Sequence, residues 1–118
     1  MDVNTETWER DVIERSHEVP VVVDFWATWC GPCRALGPAI QAEADKRRGQ
    51  LELAKLNVDS DPVVAGRYGI QSIPTVAVFR NGEVVMGFVG AYPAATIGRF
   101  FDEQVLAAPT DEAVSAGV

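Results

Sequence analysis

The chain has 118 residues, of which 47% are hydrophobic, and this suits one compact domain with a continuous core. Its formal net charge of −7 at pH 7 repels nucleic-acid phosphates and anionic lipid, so we expect neither as a partner. No apolar run approaches the roughly 20 residues of a membrane span, and Met1–Glu6 lacks the basic and then apolar pattern of a signal peptide. The expectation is therefore a cytoplasmic monomer.

The first part of the chain predicts a helix, a buried strand and a second helix. Asn4 can cap a helix over about 5–15, because its side chain can accept the free amide hydrogens of the first turn. The β-branched and aromatic run Pro20–Trp26 predicts a strand covered on both faces. Residues 33–48 have the spacing of an amphipathic helix, which Pro38 should kink.

The rest of the chain alternates in the same way. Thr75–Arg80 and Glu83–Val89 predict two strands, because they flank Asn81-Gly82, a strong hairpin signal. The last helix has an apolar face and is weakened locally by Gly98. The other predicted elements are a strand at 51–58, a short helix at 61–68 and the last helix at about 97–105.

This order predicts an α/β protein. Strands separated by helices imply parallel pairing, and the hairpin adds antiparallel edges. We expect a three-layer α/β/α fold, with a central mixed sheet flanked by helices, over residues 1–106. Residues 107–118 lose the periodicity and are predicted to form a flexible C-terminal tail.

The two cysteines lie in the motif Trp29–Cys33, between the buried strand and the second helix. Structural disulfides are rare in the cytosol, and so short a loop stabilises a fold little. Zinc needs four ligands, and the only other soft candidate is His17. Covalent haem needs a histidine after the second cysteine, where Arg34 stands. Redox chemistry is therefore favoured over a metal site or a closed surface disulfide.

A redox role gives each position of the motif a physical reason. The thiolate is the form that attacks a disulfide, and Cys30 precedes a helix whose free amide hydrogens and dipole favour negative charge. We expect Cys30 to be exposed and to attack, and Cys33, one turn further in, to be shielded and to resolve. Pro32 suits the first turn because no amide donor is needed there, and Gly31 keeps the approach to Cys30 open.

Asp24 is an anomaly, because it is an acid inside an otherwise apolar strand. Burial should raise the pKa of its carboxyl group, and such shifts are typical of functional sites. The alternative is a satisfied buried acid paired with Lys55.

Five ordered segments of the sequence resemble the thioredoxin family, and together they extend over about residues 4–106. They are Val23–Cys33, Ala54–Asp59, Tyr68–Thr75, Phe79–Gly82 and Val89–Ala91. The Gly31-Pro32 dipeptide is similar to that of reducing members, whereas oxidising relatives carry histidine in this gap.

The resemblance implies roles for residues outside the motif. Asp24 matches the buried carboxylate that assists proton transfer from Cys33, and Lys55 matches the partner of that acid. An ordinary lysine at a strand end is the alternative for Lys55. Pro74 matches a cis-proline opposite the cysteines, although the residue pattern alone also allows a trans-proline that begins a strand.

The resemblance also implies a shallow apolar groove around Cys30, in which the backbone of Ile73 pairs with an extended substrate segment. The groove would be lined by Trp29, Ile73, Pro74, Gly90 and Ala91, beside Gly31 and Pro32. Plain packing is the alternative for Trp29, and Trp26 is assigned to the core.

The function implied is reduction of disulfides in client proteins, with recycling by thioredoxin reductase, a flavoprotein that uses NADPH. No metal or cofactor is expected beyond the redox-active Cys30–Cys33 pair. An adaptor or co-chaperone, and an oxidase or isomerase of an oxidising compartment, remain as alternatives. The sequence departs from the family in its short N-terminal edge at 1–4, in Arg34 where lysine is frequent, and in the tail.

Overall fold

A computed structural model describes residues 1–107, so the predicted tail lies outside the described residues except for Ala107. Within this range the strands and α-helices are β1 (Val21–Trp26), α1 (Gly31–Asp45), β2 (Glu52–Asn57), α2 (Pro62–Arg67), β3 (Thr75–Arg80), β4 (Glu83–Val89) and α3 (Ala94–Phe100). A π-helical segment, Glu9–Glu14, and a 3₁₀ turn, Arg15–His17, precede β1, and a second π-helical segment, Phe101–Val105, follows α3. No helix in this part of the chain is long and apolar enough to cross a membrane.

The described strands form one mixed sheet in the order β2-β1-β3-β4. β1 pairs parallel with β2 and antiparallel with β3, and β4 completes the hairpin with β3. The expected α/β fold with a central mixed sheet is therefore confirmed. The hairpin is antiparallel, as expected, with β3 inside the sheet and β4 at its edge. The central residues of β3 are buried, whereas β4 is largely exposed.

Helices cover both faces of the sheet. One apolar cluster lies between the sheet and α1 with α3, and it includes Val22, Leu36, Ile40, Val76, Val78, Ile97, Phe101 and Val105. The other lies beneath the N-terminal helical segment and α2, and it includes Val3, Trp8, Val12, Val23, Phe25, Leu56, Val64 and Phe79. Because β1 contributes to both clusters, its residues are almost all buried, as its apolar sequence predicts.

The N-terminal segment is capped as predicted but is not a regular α-helix. Asn4 Oδ1 accepts a hydrogen bond from the Thr7 N–H at 2.9 Å, and Thr7 Oγ1 accepts one from the Asn4 N–H at 3.0 Å. A turn over 5–7 and the wider Glu9–Glu14 segment replace the expected helix. The ring of Trp8 packs within 6.2 Å of three other aromatic rings, and such tertiary packing overrides local propensity.

The short N-terminal edge at 1–4 pairs with the outer side of β2. Asp2 forms an isolated parallel bridge with Lys55. The Val3 N–H donates to the Lys55 carbonyl at 2.9 Å, and the Lys55 N–H donates to the Met1 carbonyl at 2.8 Å. The N-terminal residues therefore supply hydrogen-bond partners to the backbone of β2 at Lys55.

Gly87 is the only glycine of β4, and a side chain there would clash with the backbone of β3. A Cβ there would lie 2.3 Å from the Val76 carbonyl oxygen, so the backbone would have to shift. We expect Gly87→Ala to lower the free energy of unfolding by about 1–3 kcal/mol in urea titrations. Gly66→Ala in α2 is the control, because its Cβ would meet nothing within 4 Å and should be neutral or slightly stabilising. Equal midpoints for the two variants would contradict this packing.

Candidate active site

The two cysteines lie where β1 leads into α1. Cys30 is the N-cap of α1, and Cys33 lies in its first turn after Pro32. They form a disulfide, with their Cα atoms 5.3 Å apart. The Cys30 Sγ also accepts a hydrogen bond from the Cys33 N–H at 3.1 Å. That amide and the helix dipole would stabilise a thiolate at Cys30 in the reduced protein.

The expected difference in exposure between the cysteines is wrong for the disulfide form. Cys30 is 4% exposed and Cys33 is 6% exposed. Both are packed with Ala27 under partly buried apolar neighbours that include Ile73 and Val58. The hydrogen bond from the helix terminus to Cys30, rather than solvent exposure, is therefore what distinguishes the two sulfurs.

Trp29 stands out from the surface directly before the disulfide. Its side chain is 66% exposed, and its Nε1 donates a hydrogen bond to Asp59 Oδ2 at 2.8 Å. Gly31 and Pro32 are exposed on the other side of Cys30. Packing in the core therefore does not account for Trp29, whose ring is held in position by a polar contact.

Three residues of the predicted groove are brought together by the end of the hairpin. The Ile73–Pro74 peptide bond is cis, as the family resemblance implied. Ile73 packs against the disulfide cluster, and the Pro74 carbonyl accepts a hydrogen bond from the Gly90 N–H at 2.9 Å. Ala91 follows as an exposed residue. The path from the disulfide to the end of β4 is therefore continuous.

Asp24 lies at the centre of the sheet, in register with Lys55 on β2. The residue is only 2% exposed, and its Oδ1 has no hydrogen-bond partner. Burial raises the pKa of the Asp24 carboxyl group to about 6, although the positive charge of Lys55 opposes the rise. A buried acid with a purely structural role would have its oxygens hydrogen-bonded or ion-paired, whereas Asp24 Oδ1 has no hydrogen-bond partner.

A cavity of about 570 Å³ lies behind the disulfide and connects the buried acid with the second cysteine. Its lining includes Asp24, Lys55 and Cys33. Trp26 also lines it and is half-buried, with a buried Nε1 that has no hydrogen-bond partner. Trp26, assigned to the core from the sequence, packs against the buried cluster of Ala27, Cys30 and Cys33, and nothing in the sequence reveals which way its N–H points. Asp24 and Cys33 therefore line the same cavity.

The structure separates His17 from the cysteines. His17 lies beside Gly82 in the β3–β4 turn, at the opposite end of β3 from Pro74. Within residues 1–107, no three His, Cys, Asp or Glu side chains are grouped so that they could hold a metal ion.

The family model for thioredoxin matches residues 1–103. A thioredoxin of Streptomyces clavuligerus is 48% identical over 98 residues, which are 83% of this chain and 89% of that protein. A thioredoxin of Chlorobaculum thiosulfatiphilum is 52% identical over 85 residues, covering 72% and 79% of the two chains. A chloroplastic M-type thioredoxin of Chlamydomonas reinhardtii is 48% identical over 95 residues, covering 80% and 66%.

The family-model match includes the strand, the cysteine pair and the helix that carries it, together with the hairpin that completes the site. The family acts on protein disulfides and needs no cofactor beyond its active-site disulfide, and here the paired cysteines lie at a helix N-terminus. The chain therefore belongs to the thioredoxin family, and it is a thiol–disulfide oxidoreductase whose redox centre is the Cys30–Cys33 pair.

Proposed function

We propose that the chain works as a reductant of client proteins, in which Cys30 attacks and Cys33 resolves. One observation carries this assignment of roles. The Cys33 N–H lies 3.1 Å from the Cys30 Sγ at the start of α1, so negative charge is stabilised on Cys30. A thiolate at this sulfur would form near neutral pH.

The reaction proceeds as two exchanges. The Cys30 thiolate attacks one sulfur of a client disulfide, and the client's other sulfur leaves as a thiolate and takes up a proton. Cys33 then gives up its proton and attacks the Cys30 sulfur, which forms the internal disulfide and releases the second client sulfur. The second client sulfur also leaves as a thiolate and takes up a proton, so the client gains two electrons and two protons. The protein loses two electrons and two protons, one proton when the Cys30 thiolate forms and one from Cys33.

Asp24 is the proposed acceptor of the Cys33 proton. Both residues line the cavity behind the disulfide, and the pKa of about 6 places the Asp24 carboxyl close to working pH. Lys55, its register partner, would limit the rise in that pKa by its positive charge.

The client segment is proposed to lie along the surface formed by Trp29, Gly31, Pro32, Ile73, Pro74, Gly90 and Ala91. Ile73 packs at the disulfide, and its backbone would pair with an extended client chain. Backbone pairing is sequence-tolerant, so this surface would accept disulfides of many proteins.

Recycling is proposed to come from a thioredoxin reductase that takes electrons from NADPH. The chain would then act as a monomeric electron carrier in cell redox homeostasis, with no cofactor of its own. We place it in the cytoplasm, because a protein-disulfide reductase needs a compartment in which thiols are kept reduced.

Reduction of insulin in the presence of NADPH and a bacterial thioredoxin reductase tests this function. We expect NADPH to be consumed in proportion to insulin reduced, with no consumption when Cys30→Ser replaces the native protein. Dithiothreitol in place of reductase and NADPH is the control for the electron donor. If the protein reduced insulin with dithiothreitol but not with NADPH and reductase, the proposed recycling would be contradicted. If it reduced insulin with neither donor, the function would be contradicted.

A further inference from the structure

A second, smaller cavity lies between β4 and α3, outside the redox centre. It has a volume of about 150 Å³, and the surface it exposes is entirely apolar. We call it the aromatic pocket, and it is lined by Phe88, Tyr92, Thr96, Ile97 and Phe100. The proposed function assigns no role to these residues.

The aromatic side chains that line the pocket contact one another. The Phe88 ring contacts the Tyr92 ring at 5.3 Å and the Phe100 ring at 5.2 Å between centroids, both edge to face. Ile97 forms part of the buried core on this side of the sheet. Paired aromatic rings lose little conformational freedom when something binds against them, so the pocket is preorganised.

The aromatic pocket continues the surface along which the client is proposed to lie. Ile73 contacts the disulfide cluster, Pro74 is hydrogen-bonded to Gly90, and Tyr92 is the second residue after Gly90. Tyr92 is 46% exposed, so one wall of the pocket faces outward beside Ala91. An extended chain that pairs with Ile73 and passes Gly90 would reach this wall.

We propose that the aromatic pocket binds one apolar side chain of the client polypeptide, a few residues from the reacting cysteine. This inference rests on the proposed function and adds a sequence preference to it. An apolar occupant is required because a polar group would lose its water without gaining a partner. The size of the pocket suits one aliphatic side chain. Clients would then share a backbone-paired segment but differ in rate according to this single residue.

Disulfide-bonded peptides provide the test, with leucine or serine placed in turn at each position flanking the reacting cysteine. For the native protein we expect leucine to raise kcat/KM about tenfold over serine at one position only, an effect of the size that burial of an aliphatic group gives. Tyr92→Ser removes the exposed wall, and Thr96→Leu fills the pocket. Both should bring the leucine-to-serine ratio close to one.

Val84→Ser is the matched control, because Val84 is 47% exposed but lies at the other end of β4. It should keep the tenfold ratio. Equal rates for leucine and serine peptides at every position, or a ratio that survives both Tyr92→Ser and Thr96→Leu, would overturn the inference. A change only in KM for the reductase, or in self-association by sedimentation, would assign the pocket to another occupant and overturn it too. Hydroxyethyl disulfide separates the two failures: if the native protein reduces it but shows no peptide preference, only the pocket assignment fails.

Discussion

Cys33→Ser is expected to turn the protein into a covalent trap for its clients. Its Cys30 thiolate can still attack a client disulfide, but no internal thiol is left to release the mixed disulfide. Insulin reduction should fall to background, while adducts accumulate on non-reducing gels and disappear when dithiothreitol is added. Mass spectrometry of digested adducts should find the client cysteine linked to Cys30.

Cys30→Ser is the matched control for this experiment. It removes the sulfur that accepts the Cys33 N–H, so we expect neither turnover nor adducts. The comparison is demanding because the two cysteines are almost equally buried in the disulfide form. Adducts through Cys33, or activity in Cys30→Ser, would reverse the roles assigned to the two sulfurs.

The hairpin illustrates what local sequence can predict. Its two strands were predicted with the bounds that the structure shows, on either side of Asn81-Gly82. Both turn residues have positive φ angles, 53° and 82°, and this conformation suits asparagine and glycine far better than other residues. The turn and the alternating pattern are local, so no tertiary information was needed.

Features that depend on packing were harder to predict. Gly98 was expected to weaken the last helix, yet a Cβ at Gly98 would lie 2.8 Å from Glu43 Oε1 on α1. Its small size allows α3 to approach α1, where Arg47 bridges Glu43 and Asp102. The interior place of β3 has the same origin, since strand order depends on contacts between distant segments.

The candidate site likewise combines features that local sequence predicts with features that depend on packing. The cysteine pair and the isolated acid in an apolar strand are evident in the sequence, because both are anomalies of residue type. The burial of Cys30 depends on Ala27, Val58 and Ile73 arriving from three different segments. Such convergence leaves no pattern within any one segment.

Asp24→Asn is expected to raise the free energy of unfolding at pH 7 by about 3 kcal/mol. The pKa of the carboxyl group is 3.8 in its ordinary environment and about 6 in the folded protein, where burial outweighs the attraction of Lys55. A difference of this size corresponds to about 3 kcal/mol between the protonated and charged forms. Asparagine has nearly the same shape and never ionises, so the variant avoids the cost of a buried charge.

The stability gained by Asp24→Asn is expected to grow as the pH rises. Below pH 3.8 the carboxyl is protonated in both states and Asp24→Asn should gain nothing. Between pH 3.8 and about 6 the unfolded chain loses its proton while the folded chain keeps it, so native stability falls as pH rises and the advantage of the variant grows. Above about 6 the difference should be constant.

Urea titrations of the two oxidised proteins across this range, with Glu6→Gln as an exposed-acid control, measure the predicted curve. Glu6→Gln should stay within about 0.5 kcal/mol of the native protein at every pH. The same Asp24→Asn variant should resolve mixed disulfides more slowly, because it cannot accept the Cys33 proton. If the stability difference between Asp24→Asn and the native protein did not change with pH, the raised pKa of the buried Asp24 carboxyl would be contradicted. An unchanged single-turnover rate and pH profile, with the stability gain intact, would show that the buried acid takes no part in resolution.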